Sequence, residues 1–308
     1  MYRYLLVPID GSDASGEAVG QAVAYAQSMG ARLHFLHVRA SDGGSSAACE
    51  GHALLARGAS AARAQGVACD VELVVDDDPV QAVLAALRSA GCDVLFLAND
   101  GASAFTCDLL AHAPVPLLVT AANARALATR TVAVIRAEHR ALSQVLRAGM
   151  AHVQDVKRGV VLDRKRIAAM VQYLHSFAAQ QHHPKEDDYL FPMLRTRSPF
   201  VLADLDELAR QHQRDRLLLA ELAKLADHGS VEALDAALAG YAHFLWDHLG
   251  REEGVILPAA QRHLQDADWE SLHAAFVGEG DARFGSAARL PFAELFDAVV
   301  EPPAPVQA

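Results

Sequence analysis

Up to about residue 120, short apolar runs alternate with stretches of helical period, and beyond about 130 only the helical period remains. The first run, Leu5-Leu6-Val7-Pro8-Ile9-Asp10, reads as a strand that empties into a small-residue loop. A helix then follows from Ser15 to Met29, with Ala18, Val19, Ala22, Val23 and Ala26 on one face and Gly30 as its stop. Further strands are predicted over 32–38, 68–75, 93–98 and 115–120. Between them lie an alanine-rich helix, after the Ser41–Ser46 loop and up to about Gln65, and a helix over Pro79–Ala90. Strands that alternate with helices and are apolar throughout indicate a parallel sheet covered on both faces.

After a stretch of weak pattern at 123–130, read as a linker, four long amphipathic segments predict helices over 131–156, 164–196, 202–227 and 231–263. The first carries Val132, Ile135, His139, Leu142, Val145 and Leu146 on its inward stripe; the second carries Ile167, Met170, Val171, Leu174, Phe177 and Ala178. Gly229 and Gly240 are the glycines expected to matter, one between helices and one loosening the fourth. A short helix over 269–276 packs across an end. The expected organisation is an α/β domain at 1–122, a linker at 123–130 and an all-α up-down four-helix bundle at 131–280. A disordered tail follows at 296–308, proline-rich from Glu301.

The bundle carries one device twice. His182 is followed four residues later by Glu186, and His248 by Glu252; each pair then runs into an apolar pair and a proline. On a helix this spacing places an imidazole and a carboxylate on one face, one turn apart. His139 and His212 sit singly on the other two helices. Four inward-facing helices of this kind can aim six ligands at one centre, with two carboxylates to bridge and four imidazoles to terminate a pair of ions. The donor types suit iron, manganese or zinc, and the absence of cysteine from 123–308 argues against a sulfur-rich zinc site. His183 lies about 100° from His182 on a regular helix and is placed beside the ligands or exposed. Asp187 and Glu253 are assigned to the solvated face, and Pro184 should distort its helix.

Net charge narrows the partners. At −11, with no basic stripe, the chain is not expected to bind nucleic acid. No apolar run approaches the ~18 residues a bilayer crossing needs, and the opening residues read as a strand and not a secretory signal, so a cytoplasmic protein with no membrane partner is expected. Its four cysteines, Cys49, Cys69, Cys92 and Cys107, are widely spaced and read as reduced thiols.

Residues 1–122 resemble the universal stress protein family through Pro8-Ile9-Asp10-Gly11-Ser12, Asp77-Asp78-Pro79, the Cys92–Leu97 strand and the closing Ala113–Val119. The resemblance implies a doubly wound fold, homodimerisation through the last strand and, in some members, an ATP site where Asp10 would face the adenosine. The phosphate loop departs from the family's pattern: Ala98–Cys107 keeps one glycine, Gly101, and Asp100 would repel a phosphate, so ATP is not expected. Residues 131–262 resemble the hemerythrin-type HHE cation-binding family through Ala137-Glu138-His139, His182–Glu186 with Leu190-Phe191-Pro192, Arg210-Gln211-His212, and Tyr241 through Phe244 to His248 and Glu252-Glu253. That resemblance implies a non-haem centre of two iron ions held by His139, His182, Glu186, His212, His248 and Glu252. Oxygen-carrying hemerythrins have a second histidine four residues beyond the one in the third helix; Arg216 stands here. The departure favours binding or sensing of O2, nitric oxide, peroxide or iron over oxygen transport. A di-iron redox enzyme and a nucleotide-dependent stress regulator are the alternatives.

Overall fold

The five apolar runs of the first half become five parallel strands: β1 (Tyr4–Pro8), β2 (Arg32–Arg39), β3 (Cys69–Val75), β4 (Val94–Leu97) and β5 (Leu117–Val119). This is seen in a computed structural model that describes residues 2–42, 45–98, 103–120, 126–278 and 286–300. The strand order is β3-β2-β1-β4-β5, with every neighbouring pair parallel. Strands running the same way need crossovers, here α1 (Asp13–Met29), α2 (Ser45–Ala64), α3 (Pro79–Ala90) and α4 (Ala104–His112). Successive residues point to opposite faces, so Leu5, Val7, Leu33 and Phe35 pack under Val19, Val23 and Leu55 of α1 and α2. Leu6, Leu36 and Leu95 pack under Val83, Leu87 and Leu109 of α3 and α4. Both faces are covered, which makes the sheet doubly wound.

Helix α4 begins inside the loop expected at 98–107 and runs beyond it to His112. Ser103 caps it by accepting from the Thr106 N–H at 3.2 Å, but only Thr106 and Leu109 are buried. A nine-residue helix with two inward positions leaves too little periodic signal to find.

The second half is helical: α5 (Ala126–Lys157), α6 (Arg164–Phe177), α7 (His183–Lys185), α8 (Phe191–Arg197), α9 (Leu202–His228), α10 (Val231–Arg251), α11 (Leu257–His263), α12 (Asp266–Val277) and α13 (Ser286–Val300). Helix α5, the run from α6 to α8, α9 and α10 are the four long members of the bundle. The inward stripes expected on the first two are buried, Ile135, Val145, Ile167, Met170 and Leu174 at 0% exposure. Helix α5 begins inside the stretch read as linker. Helix α13 carries regular structure to Val300, into the stretch from 296 read as tail; Phe292 and Val299 are buried, and the Val299 carbonyl accepts from Arg166 Nε at 2.9 Å. Residues 301–308 lie outside the described residues. No described helix is long and apolar enough to cross a membrane.

Three wide turns of π type interrupt these helices, at Ala178–His182, Glu186–Leu190 and Glu252–Ile256. Each ends the same way. The residue just before a proline donates its N–H five residues back: His183 to Ala178 O, Phe191 to Glu186 O and Leu257 to Glu252 O. Pro184, Pro192 and Pro258 have no N–H for the carbonyl four residues back, and the wider register accommodates that loss without breaking the helix.

By its contacts the chain forms two compact units, Met1–Ala124 with Trp246–Arg262, and Arg125–Leu245 with His263–Ala308. Within the first, the third π turn packs on α1 and α2, with Gly250 before it close to Arg57 of α2 and Pro258 after it close to Gly20 of α1. Helix α10 runs unbroken through Gly240. Further along this segment, Gly250 and Gly254 are closely packed.

Within the second unit, α9 and α10 are joined by a buried polar pair, Tyr241 Oη donating to Asp215 Oδ1 at 2.8 Å. Burial pushes the Asp215 carboxyl up to about 6, although Tyr241 and the charges around it pull the other way. An acid raised in the folded state binds its proton more tightly there than in the unfolded chain. Its stabilising contribution is therefore present at low pH and lost as pH climbs through about 6. Asp215→Asn, which keeps an acceptor for Tyr241, should stabilise the metal-free protein by roughly 2–3 kcal/mol at pH 7.5 and leave it unchanged near pH 4. Thermal unfolding across that range checks this.

Candidate metal centre

Four of the six side chains named from the sequence come together in the second unit. His139 lies on α5, His182 closes the first π turn, Glu186 opens the second and His212 lies near the middle of α9. None is more than 3% exposed. Donor atoms of His139, His182 and Glu186 all lie within 4.8 Å of one another. His182 Nε2 is 3.5 Å from Glu186 Oε1, and His212 Nε2 is 3.5 Å from Glu186 Oε2. The carboxylate thus has an imidazole nitrogen beyond each oxygen, at a separation longer than a good hydrogen bond. Among the described residues His182 Nε2 and both Glu186 oxygens are buried and make no hydrogen bond. A buried carboxylate in that condition is costly unless a cation satisfies it. The donor set, imidazole with carboxylate, fits such a cation.

Further contacts aim the imidazoles. His182 Nδ1 lies 3.0 Å from Glu138 Oε2, and His212 Nδ1 lies 3.0 Å from Asp187 Oδ1. An Nδ1–H that donates to a carboxylate leaves Nε2 as the lone-pair nitrogen, turned toward Glu186. Glu138 in turn pairs with the ammonium of Lys185, a lysine at 0% exposure that also stands 4.8 Å from the centroid of the Phe276 ring. Burial would raise the Glu138 carboxyl, but the His182 hydrogen bond and the Lys185 charge outweigh it and hold the group below the usual range. Burial likewise works against a charged His212, yet Asp187 and Glu186 raise it to about 9. For Glu186 the neighbouring imidazoles, His182 first, overcome burial and hold the carboxyl down. The pocket is built to keep its carboxylates ionised.

His248 and Glu252 lie in the first unit, on the segment that packs against α1 and α2. They repeat the local geometry: His248 Nε2 is 3.2 Å from Glu252 Oε1, and the two are 2% and 1% exposed. As at Glu186, a π turn opens on the carboxylate residue.

One reading is narrowed and one differs. His183, expected beside the ligands or exposed, takes the first place: it is buried and stacks on His212 with ring centroids 3.9 Å apart. Glu253 is not on a solvated face but pairs with Arg57 of α2, their side chains 13% and 12% exposed. Glu138 and Lys185 stand in the quoted motifs, yet nothing in a one-dimensional pattern shows that Glu138 meets His182 from another helix. A charged residue directly beside a ligand, Glu138 before His139 and Lys185 before Glu186, was the available signal.

Asp10 is exposed and accepts from the Ser12 N–H at 2.9 Å. It lines a cleft of about 420 Å³ with Ser12, Ser15, Phe105 and Thr106 beyond the carboxyl ends of β1 and β4. Residues 99–102 of the loop read as a departed phosphate site lie outside the described residues. The four cysteines are free thiols, and burial pushes that of Cys92 up to about 12.

Comparison with known proteins agrees with this division of chemistry. Residues 1–121 match the family model of the universal stress proteins, and residues 130–260 match that of the hemerythrin HHE cation-binding domain. Uncharacterised proteins of Mycobacterium tuberculosis H37Rv and of Mycobacterium bovis are 28% identical over 160 residues, which is 49% of this chain and 61% of theirs. The match therefore spans less than two thirds of those relatives. Among solved structures, a universal stress family protein from Burkholderia pseudomallei is 25% identical over 39% of this chain and 97% of its own, with a TM-score of 0.35. One from Arabidopsis thaliana with AMP bound is 17% identical over 40% of this chain and 93% of its own, also with a TM-score of 0.35. The chain is a fusion of a universal stress protein domain, residues 1–121, with a hemerythrin HHE cation-binding domain, residues 130–260.

Proposed function

We propose that the HHE domain holds two iron ions through His139, His182, Glu186, His212, His248 and Glu252, and that the protein responds to O2, nitric oxide, peroxide or iron level. The carrying observation is Glu186: a carboxylate at 0% exposure, without a hydrogen bond, with imidazole nitrogens 3.5 Å from either oxygen. The family match supports joining His248 and Glu252 to this set, because it runs as one domain over 130–260. Iron in such a donor set supplies redox change and open positions for small ligands. The chain's own residues bind and orient: Glu138 and Asp187 turn His182 and His212, and Lys185 balances the charge of Glu138. The stress-protein domain serves dimerisation or signalling. In support of dimerisation, β5 is an edge strand with Val119 45% exposed.

Protein purified without oxygen from iron-replete cells should carry about two iron ions per chain and develop oxo-bridge absorption in air. Less than one ion with no such band rejects the proposal. Glu138→Gln should keep the fold and weaken iron binding about 10–100-fold, as lost support of a ligand imidazole does; unchanged affinity in a chelator competition would remove Glu138 from this role. Val119→Asp should shift the protein from dimer to monomer in sedimentation, while a monomeric native protein discards the dimer.

A further inference from the structure

The segment Trp246–Arg262 carries His248 and Glu252, and the residues beside them are fastened to α2. Asp247, next to His248, receives the Ser60 hydroxyl at 2.6 Å on Oδ1 and at 3.0 Å on its carbonyl, with Arg63 3.8 Å away. Glu253, next to Glu252, pairs with Arg57. Beside these anchors the two segments touch through missing side chains. A Cβ on Gly250 would stand 2.4 Å from the Arg57 carbonyl oxygen, and one on Gly254 would stand 2.1 Å from Ala61 Cβ. Arg57, Ser60 and Ala61 share one face of α2 at helical spacing, and Gly250 and Gly254 share one face of the partner segment. Gly20 on α1 adds a third close approach, where a Cβ would meet Pro258 Cγ at 2.6 Å.

Packing this close, with polar anchors at Asp247 and Glu253 beside it, restricts both the rotation and the height of the segment that bears the two ligands. We propose that α2 of the stress-protein domain positions His248 and Glu252 for the metal, with Arg57 and Ser60 as the positioning residues. The proposal rests on the reading of these two as metal ligands, and it makes the α/β domain a structural part of the centre's ligand shell. It also gives a route for signalling. Whatever metal binding does to His248 and Glu252 acts on α2, and by thermodynamic reciprocity whatever shifts α2 changes metal affinity.

The test uses the full chain and Co(II) as the probe, with chelator competition for affinity and the visible d–d bands for geometry. Arg57→Ala and Ser60→Ala should each weaken Co(II) about tenfold or more and alter the bands, while the far-UV dichroism of the metal-free protein stays native. The reversed pair, Arg57→Glu with Glu253→Arg, should recover most of the affinity. Arg32→Ala breaks an ion pair with Asp70 elsewhere on the same unit and should change nothing. Ser60→Ala removes only a hydroxyl, so it answers even if Arg57→Ala does not fold. Native affinity and native bands in Ser60→Ala and in any folded Arg57→Ala, alongside loss of metal in His248→Ala, would overturn the positioning role and leave the metal assignment standing. Failure of the unsubstituted protein to bind Co(II) or iron would instead overturn the metal assignment, and this inference with it.

Discussion

Burying the carboxylate of Glu186 is the constraint around which the second unit is arranged. An ionised carboxyl removed from water costs several kcal/mol unless charge or hydrogen bonds compensate it. Here imidazole nitrogens of His182 and His212 face its two oxygens at 3.5 Å, too far for good hydrogen bonds, a donor set that fits a compensating cation. Those imidazoles need partners of their own, and Glu138 and Asp187 supply them. Glu138, its side chain only 12% exposed, takes Lys185, which is drawn wholly out of solvent. Each polar group brought inside recruits the next. The result is a chain of linked groups that ends at the partly exposed Asp187 in one direction and against the Phe276 ring in the other.

The helices bend their own rules to meet that demand. Three π turns are rare in one chain, and in each a predicted ligand stands at one end: His182 closes the first, Glu186 opens the second and Glu252 opens the third. A π turn holds one more residue than an α turn and so changes which side chains face inward. The prolines that follow make the wide register tolerable, because they have no N–H to give to the regular one.

Much of this was legible in one dimension. The strand-and-helix alternation gave all five strands and three of four crossovers within a few residues, most plainly at β1 and β4, which are apolar and largely buried. The four-residue spacing was enough to set His182 beside Glu186 and His248 beside Glu252, since neighbours one turn apart meet whatever the tertiary fold. What escaped shares a cause. Helix α4 has two buried positions and no stripe. Helix α13 was lost against a composition that suggests a tail. The partnerships of Glu138 with His182, and of Glu253 with Arg57, join residues 44 and 196 positions apart. No period connects such pairs. Glu253 was misplaced on the outside for a sound local reason: a second acidic residue after a ligand is usually solvated unless a distant cation waits for it.

The interleaving of the two units has a practical bearing on how such a chimera can be taken apart or assembled. The chain passes from the first unit into the second near residue 124, returns at Trp246, and leaves again after Arg262. A single cut near residue 124 would strip the α/β half of a helix that fills the notches left by Gly20 on α1 and by the small residues of α2. It would also leave the helical half with Gly250 and Gly254 turned to water. The two ancestries are joined in sequence like beads on a string, but they do not separate like beads, and gene-level recombination at that junction would tear an ordered interior.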